Sequence, residues 1–303
     1  MSDPRITEQR NPRTADIDLA PPEQIVDLLN AEDATVAAAV ATQRTQIAQA
    51  MSVAEQTFRA GHRLFYVGAG TSGRLGVLDA SEIPPTFGAS PDLVQGIIAG
   101  GHAALTRSQE GAEDRPDGAR TDLDATGVHA GDFVIGIAAS GTTPYVRAAL
   151  EHAKKLGAST AIIACSPPPA DTLAAADIAI VAITGPEAVT GSTRMKAGTA
   201  TKLILNTITT GAMIRLGKTY GNLMVDLQAT NEKLKDRSRR IVSEVCGVTK
   251  DESRALVEAA GGSTRVAIVM HRMALSRVDA ERALAAVGGV IRAIMTSPPP
   301  PAK

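Results

Sequence analysis

A chain of 303 residues with 31 basic and 32 acidic side chains has length enough for a substantial core and no charge surplus to attract nucleic acid or an anionic membrane. With no Trp, three Tyr and four Phe it can stack little on bases or sugar faces, so the expected partner is a small molecule read by hydroxyls, amides and charges. No window approaches about 18 uninterrupted apolar residues, and the polar start MSDPRITEQRNPRT lacks an apolar h-region, so neither a span nor a signal peptide is expected and the cytoplasm is the expected location.

In chain order, the first twenty residues read as irregular. PPEQIVDLLNAED starts a helical pattern: a short helix near 22–29, then a long Ala-rich one over about 33–60, with Asp33 as its cap and Gly61-His62 as its end. RLFYVG (63–68) is a short apolar run ending in glycine, the mark of a buried parallel strand, and helical residues follow over about 72–80. LVQGIIAG (93–100), DFVIGIAA (132–139), STAIIAC (159–165) and DIAIVAI (177–183) repeat it, with TPYVRAALEHAKKLG (143–157) aligning Val146, Ala149, Leu150 and Ala153 on one helical face. Such alternation predicts a three-layer α/β core around a five-stranded parallel sheet covered on both faces.

After about 188 no further strand is expected. Residues 192–217 read as one long helix whose Thr content makes packing, not propensity, its support. The polar stretch 222–260 and the segments to about 295 are helical, and SPPPPAK is a frayed tail. The expected division is an N-terminal helical segment (1–50), the α/β domain (51–224) and a C-terminal helical region (225–303). Cys165 and Cys246 are far apart, with no C-x-x-C or adjacent His, and read as buried thiols.

YVGAGTSGRLG contains G-x-G-x-x-G at Gly68, Gly70 and Gly73. A dinucleotide site also needs a carboxylate at the end of the second strand to hold a ribose, and that strand ends IIAGGH. The loop offers instead two hydroxyls, Thr71 and Ser72, where strand gives way to helix and backbone N–H groups already favour an anion. IAASGTTPY repeats the design with Ser140, Gly141, Thr142 and Thr143 before Pro144, which suits a helix's first turn. Either loop alone could be a pair of helix caps; two on one sheet suit a single phosphomonoester.

These loops resemble those of sugar isomerase (SIS) domains, which bind phosphosugars. With TEQRNPRT, GAGTSGRLGVLDASEIPPTFG, EGAED, GSTRMKAGTATKLILNTITTG and NLMVDLQATNEKLKDR, the chain is similar to the N-acetylmuramic acid 6-phosphate etherases from about residue 7 to at least 237. It departs from that family at Thr142, where a basic residue is commoner, and at Ile83. The resemblance implies a SIS fold, a homodimer without metal or organic cofactor, and cleavage of the lactyl ether of N-acetylmuramic acid 6-phosphate to N-acetylglucosamine 6-phosphate and D-lactate in cell-wall sugar recycling.

An alkyl ether leaves poorly at neutral pH, but the open-chain aldehyde acidifies the proton on carbon 2, and the ether oxygen on carbon 3 stands β to the resulting anion. Elimination followed by water addition needs two proton handlers. By resemblance these are Glu82, which assists the departing lactate, and Glu113, the base; the residues alone do not choose Glu113 over Glu110 or Asp114. An acid working near pH 7 needs a raised pKa, and the apolar IPPTF after Glu82 is expected to bury it. Arg194 and Lys196 are expected to meet the phosphate or the lactyl carboxylate, or to serve a dimer interface. None of the five His residues has ligand spacing. The rival readings are an aldose–ketose isomerase, which moves the same proton but keeps the carbon 3 substituent, and a phosphosugar-sensing regulator, which needs neither carboxylate.

Overall fold

The computed structural model describes residues 5–227 and 231–295. The chain forms two compact units: residues up to Ser81 with Asp92–Thr209, and Glu82–Pro91 with the residues from Thr210 onward. The first unit therefore takes in the N-terminal segment as well as the sheet.

That segment has three 3-10 turns, Ile6–Glu8, Pro12–Thr14 and Ile17–Leu19, then α1 (Pro22–Asp33), α2 (Val36–Ala41) and α3 (Arg44–Arg59). The single helix expected over 33–60 is thus broken twice, and Asp33 ends α1 instead of capping the next helix. Thr35 and Thr42 explain the breaks: each hydroxyl bonds a carbonyl three residues back, on Glu32 and Ala39, both at 2.7 Å, which competes with the helical ladder. Gln43, in the second break, accepts the Val181 N–H at 3.0 Å and so occupies a donor of an edge strand.

The sheet comprises β1 (Leu64–Gly68), β2 (Val94–Ile98), β3 (Phe133–Ile137), β4 (Ser159–Ala164) and β5 (Ile178–Val181), all parallel in the order β2-β1-β3-β4-β5. The expected five-stranded parallel sheet is present. Intervening helices are α4 (Gly70–Phe87), α5 (Pro116–Thr126), α6 (Pro144–Lys155) and α7 (Ala170–Ala175), followed by α8 (Lys196–Arg215). Phe65, Val67 and Val134 pack one sheet face against Ala119, Leu123, Val146 and Leu150 of α5 and α6. On β1 the alternate residue Tyr66 points the other way, donating to Asp79 of α4 at 2.9 Å.

Asp79 also accepts from Thr209 Oγ1 at 3.0 Å and Asn206 Nδ2 at 2.5 Å, so this buried carboxyl ties α4 and α8 to β1. Burial raises its pKa despite those donors. Two of the α8 hydroxyls lie within hydrogen-bond distance of carbonyls one turn back, Thr207 of Leu203 O and Thr209 of Leu205 O, while Ala197, Ala200, Ile204 and Ile208 are buried. Packing carries this helix, as its composition predicts.

The second unit adds a hairpin absent from the sequence reading, β6 (Thr219–Tyr220) with β7 (Leu223–Met224), and α9 (Glu232–Cys246), α10 (Lys250–Ala259), α11 (Thr264–Met273), α12 (Arg277–Ala286) and α13 (Ile291–Ile294). The expected continuous helical stretch 222–260 is in fact two capped helices: Asn231 caps α9, Gly247 ends it in the left-handed region, and Thr249 with Glu252 forms a capping box on α10. Tyr220, Val242, Ala267, Ile268 and Val269 centre the unit's own core.

Candidate active site

β1 and β3 are neighbours, yet the chain leaves β1 towards β2 on one side and β3 towards β4 on the other. Their carboxyl ends therefore flank the topological switch point, where the succeeding loops part and a crevice opens for ligands. Gly68 pairs with Ile137, so the loop carrying Gly70, Thr71 and Ser72 and the loop carrying Ser140, Gly141, Thr142 and Thr143 emerge side by side. The sheet brings together what sequence separates.

The three glycines of the first loop do different work. A Cβ on Gly68 would lie 2.7 Å from the Gly73 nitrogen, and one on Gly73 would lie 2.6 Å from Ile98 Cγ1, so these two permit close packing of strand, turn and helix. Gly70 alone, at φ +54°, faces open space at the helix N-terminus. Among the described residues the Thr71, Ser72 and Thr143 hydroxyls have no hydrogen-bond partner, and Thr143, at the N-cap of α6, makes no side-chain cap bond. Capping does not account for them. Ser140 Oγ pairs with Thr142 Oγ1 at 2.9 Å, and Gly141, at φ +76°, brings its backbone so near Pro168 that a Cβ would sit 2.8 Å from Pro168 Cα.

Beside this crevice, on the β2 side, lies an open cavity of about 360 Å³ lined by Gly70, Arg74, Gln109, Glu110 and Glu113 among others. Glu113 stands in a single 3-10 turn, Ala112–Asp114, between Gly111 in the left-handed region and Pro116 at the start of α5. Of the three neighbouring carboxylates, Glu110 and Glu113 line the cavity. Arg74, which the sequence reading passed over, enters it from the second turn of α4, with Nε donating to Leu105 O at 3.0 Å.

Glu82 belongs to the second unit and lies within α4, not at its end; the helix runs on through Pro84 and Pro85, and Gly88 N–H still bonds Pro84 O at 3.0 Å. The expected burial of Glu82 is not found. Ile83 is 3% exposed, whereas Glu82, about 100° away around the helix, is exposed. The turn after it is fixed: Gly88, at φ +61°, lies against the Asp226 carbonyl, and Asp226 pairs with Lys218 at 2.6 Å and Arg265 at 3.2 Å.

Lys196 and Arg194 part company. Lys196 is 1% exposed, its Nζ 2.6 Å from Glu32 Oε2, whose carboxylate also takes a two-point pair from Arg13. The Arg13 hydrogen bonds hold the Glu32 carboxyl down at about 2. Glu187, fully buried, accepts the Lys196 and Ala197 N–H groups at 3.0 Å each and so caps α8. Around this core the TEQRNPRT segment is bound to the loops after β4 and β5: Thr7 N–H to Ser166 Oγ, Asn11 Nδ2 to Pro186 O and Thr14 Oγ1 to Ala188 O. Arg194 is exposed, and among the described residues it forms no ion pair.

The sequence is 51% identical over 292 residues to an N-acetylmuramic acid 6-phosphate etherase of Rhodopirellula baltica, with 96% of each chain covered. An enzyme of the same name from Mycolicibacterium smegmatis is 50% identical, covering 94% of this chain and 96% of its own. The chain belongs to the N-acetylmuramic acid 6-phosphate etherase family. The glucokinase regulatory protein N-terminal SIS domain family matches residues 46–154. A phosphoheptose isomerase from Neisseria gonorrhoeae is a remote structural likeness, 17% identical with a TM-score of 0.48, covering 63% of this chain and 98% of that one.

In this etherase-family chain the residues that sequence reasoning missed are Arg74, Glu32 and Glu187. Arg74 had a signal, a cation inside the GTSGRLG motif; Glu32 meets Lys196 across 164 residues and had none. The one three-residue grouping of metal-ligand types among the described residues is His62, His129 and Asp132. It lies at the amino end of β3, opposite the crevice, and Asp132 already accepts from Arg63 N–H and Nη2 at 2.9 Å each and from His129 N–H at 3.1 Å. Burial pushes the Cys165 thiol up to about 12 and the Cys246 thiol to about 11, so neither is a ready nucleophile.

Proposed function

We propose that the protein cleaves the lactyl ether of N-acetylmuramic acid 6-phosphate, releasing D-lactate and N-acetylglucosamine 6-phosphate for reuse of cell-wall sugar, as a cytoplasmic homodimer. The observation that carries this is near-complete coverage by relatives of that name at about half identity, spanning both loops and both carboxylates. The phosphate lies in the switch-point crevice, on the Thr71, Ser72, Ser140, Gly141, Thr142 and Thr143 loops and the open backbone at Gly70. The Glu113 carboxylate takes the carbon 2 proton of the open-chain aldehyde. The carbon 3–oxygen bond then breaks, its electron pair leaves on lactate, and Glu82 supplies the proton to that oxygen. Glu82, now ionised, takes a proton from water as its oxygen adds to carbon 3, and Glu113 returns a proton to carbon 2. The balance requires water alone.

Incubation with N-acetylmuramic acid 6-phosphate tests the reading: D-lactate and N-acetylglucosamine 6-phosphate should form in equal amounts. A ketose without lactate would make the protein an isomerase, and tight binding without turnover would make it a sensor. Exposed Leu78 and Val189 offer apolar surface for a second copy, and sedimentation velocity reads the dimer.

A further inference from the structure

The proposed substrate carries two anions, and the crevice accounts for one. Uncharged hydroxyls and backbone N–H groups at a helix N-terminus suit the phosphate. The second anion, the lactyl carboxylate, stands on the group that is expelled, so its counter-charge belongs near the proton-handling carboxylates. There it would otherwise meet like charge from Glu110 and Glu113.

Resting on the etherase reading above, we infer that Arg74 is the receptor for the lactyl carboxylate and thereby a specificity-determining residue. Among the described residues Arg74 is the only cation lining the cavity that holds Glu113. Its side chain is half-buried, and the Leu105 carbonyl fixes it through Nε. Among the described residues it forms no ion pair, although two carboxylates share its cavity, so the remaining guanidinium donors are uncommitted. A guanidinium anchored at one edge presents the planar fork that a carboxylate binds at two points. The other two candidates are less suited: Lys196 is occupied by Glu32, and Arg194 is exposed and outside this cavity. α4 thus serves both anions, the phosphate at its first residues and the carboxylate one turn later.

The test compares the natural substrate with its lactyl amide, which keeps shape and leaving oxygen but removes the charge, and with N-acetylglucosamine 6-phosphate, which keeps only the phosphate. The wild type should favour acid over amide in kcat/KM by about 10- to 100-fold. Arg74→Gln should erase that preference by lowering the acid alone, leaving the amide and the affinity for N-acetylglucosamine 6-phosphate within about two-fold, while Arg74→Lys restores part of it. Equal losses on acid and amide would overturn the inference, since Arg74 would then be holding the loop through Leu105. So would weakened N-acetylglucosamine 6-phosphate binding, which would make it a phosphate ligand, or loss of the preference in Arg194→Gln alone. Calorimetry with the same three ligands, with and without Arg74→Gln in a Glu113→Gln background, reads the selectivity without turnover. Arg74-dependent selectivity in a protein that releases no lactate would remove the etherase reading and keep the carboxylate site.

Discussion

At the scale of single residues, Glu113 and Glu32 show two uses of a carboxylate. Glu113 is exposed at an open cavity and forms no ion pair among the described residues. Its replacement by Gln should lower lactate release about 10²- to 10⁴-fold while the affinity for N-acetylglucosamine 6-phosphate is kept, a pair of readings that separates lost chemistry from lost folding. Glu32 is 3% exposed at its side chain and serves Arg13 and Lys196. Glu32→Ala leaves the Lys196 ammonium buried and unpaired, and should cost about 3–5 kcal/mol in urea unfolding. Because folding holds its pKa at about 2 against an ordinary 4.5, its contribution is complete above about pH 4.5 and fades as pH falls towards 2. The stability gap between wild type and Glu32→Gln should therefore be constant from pH 7 to 5 and narrow below; a gap that widened on acidification would contradict the pairing. Asp79 acts in the opposite sense, since burial raises its pKa and its ionisation opposes folding as pH rises, which is why the difference between the two proteins is the quantity to follow.

At the scale of elements, the two loops after β1 and β3 depend on backbone that only glycine allows. Gly141→Ala must both hold φ +76° and displace Pro168, so it should destabilise by more than about 1 kcal/mol and weaken phosphosugar binding, read by thermal unfolding and calorimetry. A variant as stable and as tight-binding as wild type would remove the loop from the site. The strands were legible because each lies between helices on two faces and shows as an unbroken apolar run. The hydroxyl loops were legible because strand, glycine and hydroxyls are contiguous. Helix limits were less so. The breaks near 34 and 42 depend on Thr hydroxyls turning back on their own chain, and α4 continues through two prolines that ordinarily stop a helix. The start of α8 at Lys196, instead of about 192, is set by Glu187 nine residues earlier folding back onto its first N–H groups. Such bonds have no periodicity to read.

At the scale of the whole molecule, the N-terminal segment is tied into the α/β unit, because Thr7, Asn11 and Thr14 bind the loops after β4 and β5 while Arg13 completes the Glu32–Lys196 pair. Removal of residues 1–19 should lower the melting temperature and the phosphosugar affinity together; unchanged values would show that the segment only decorates the fold. Glu82 and Glu113, the two carboxylates proposed to handle protons, fall in different compact units. The central claim is elimination through a carbon 2 anion, and deuterated water tests it directly. With N-acetylmuramic acid 6-phosphate in D₂O, the wild-type protein should release D-lactate and leave one deuterium at carbon 2 of the N-acetylglucosamine 6-phosphate, and Glu113→Gln should lose both signals. Lactate released with the carbon 2 hydrogen fully retained would contradict it.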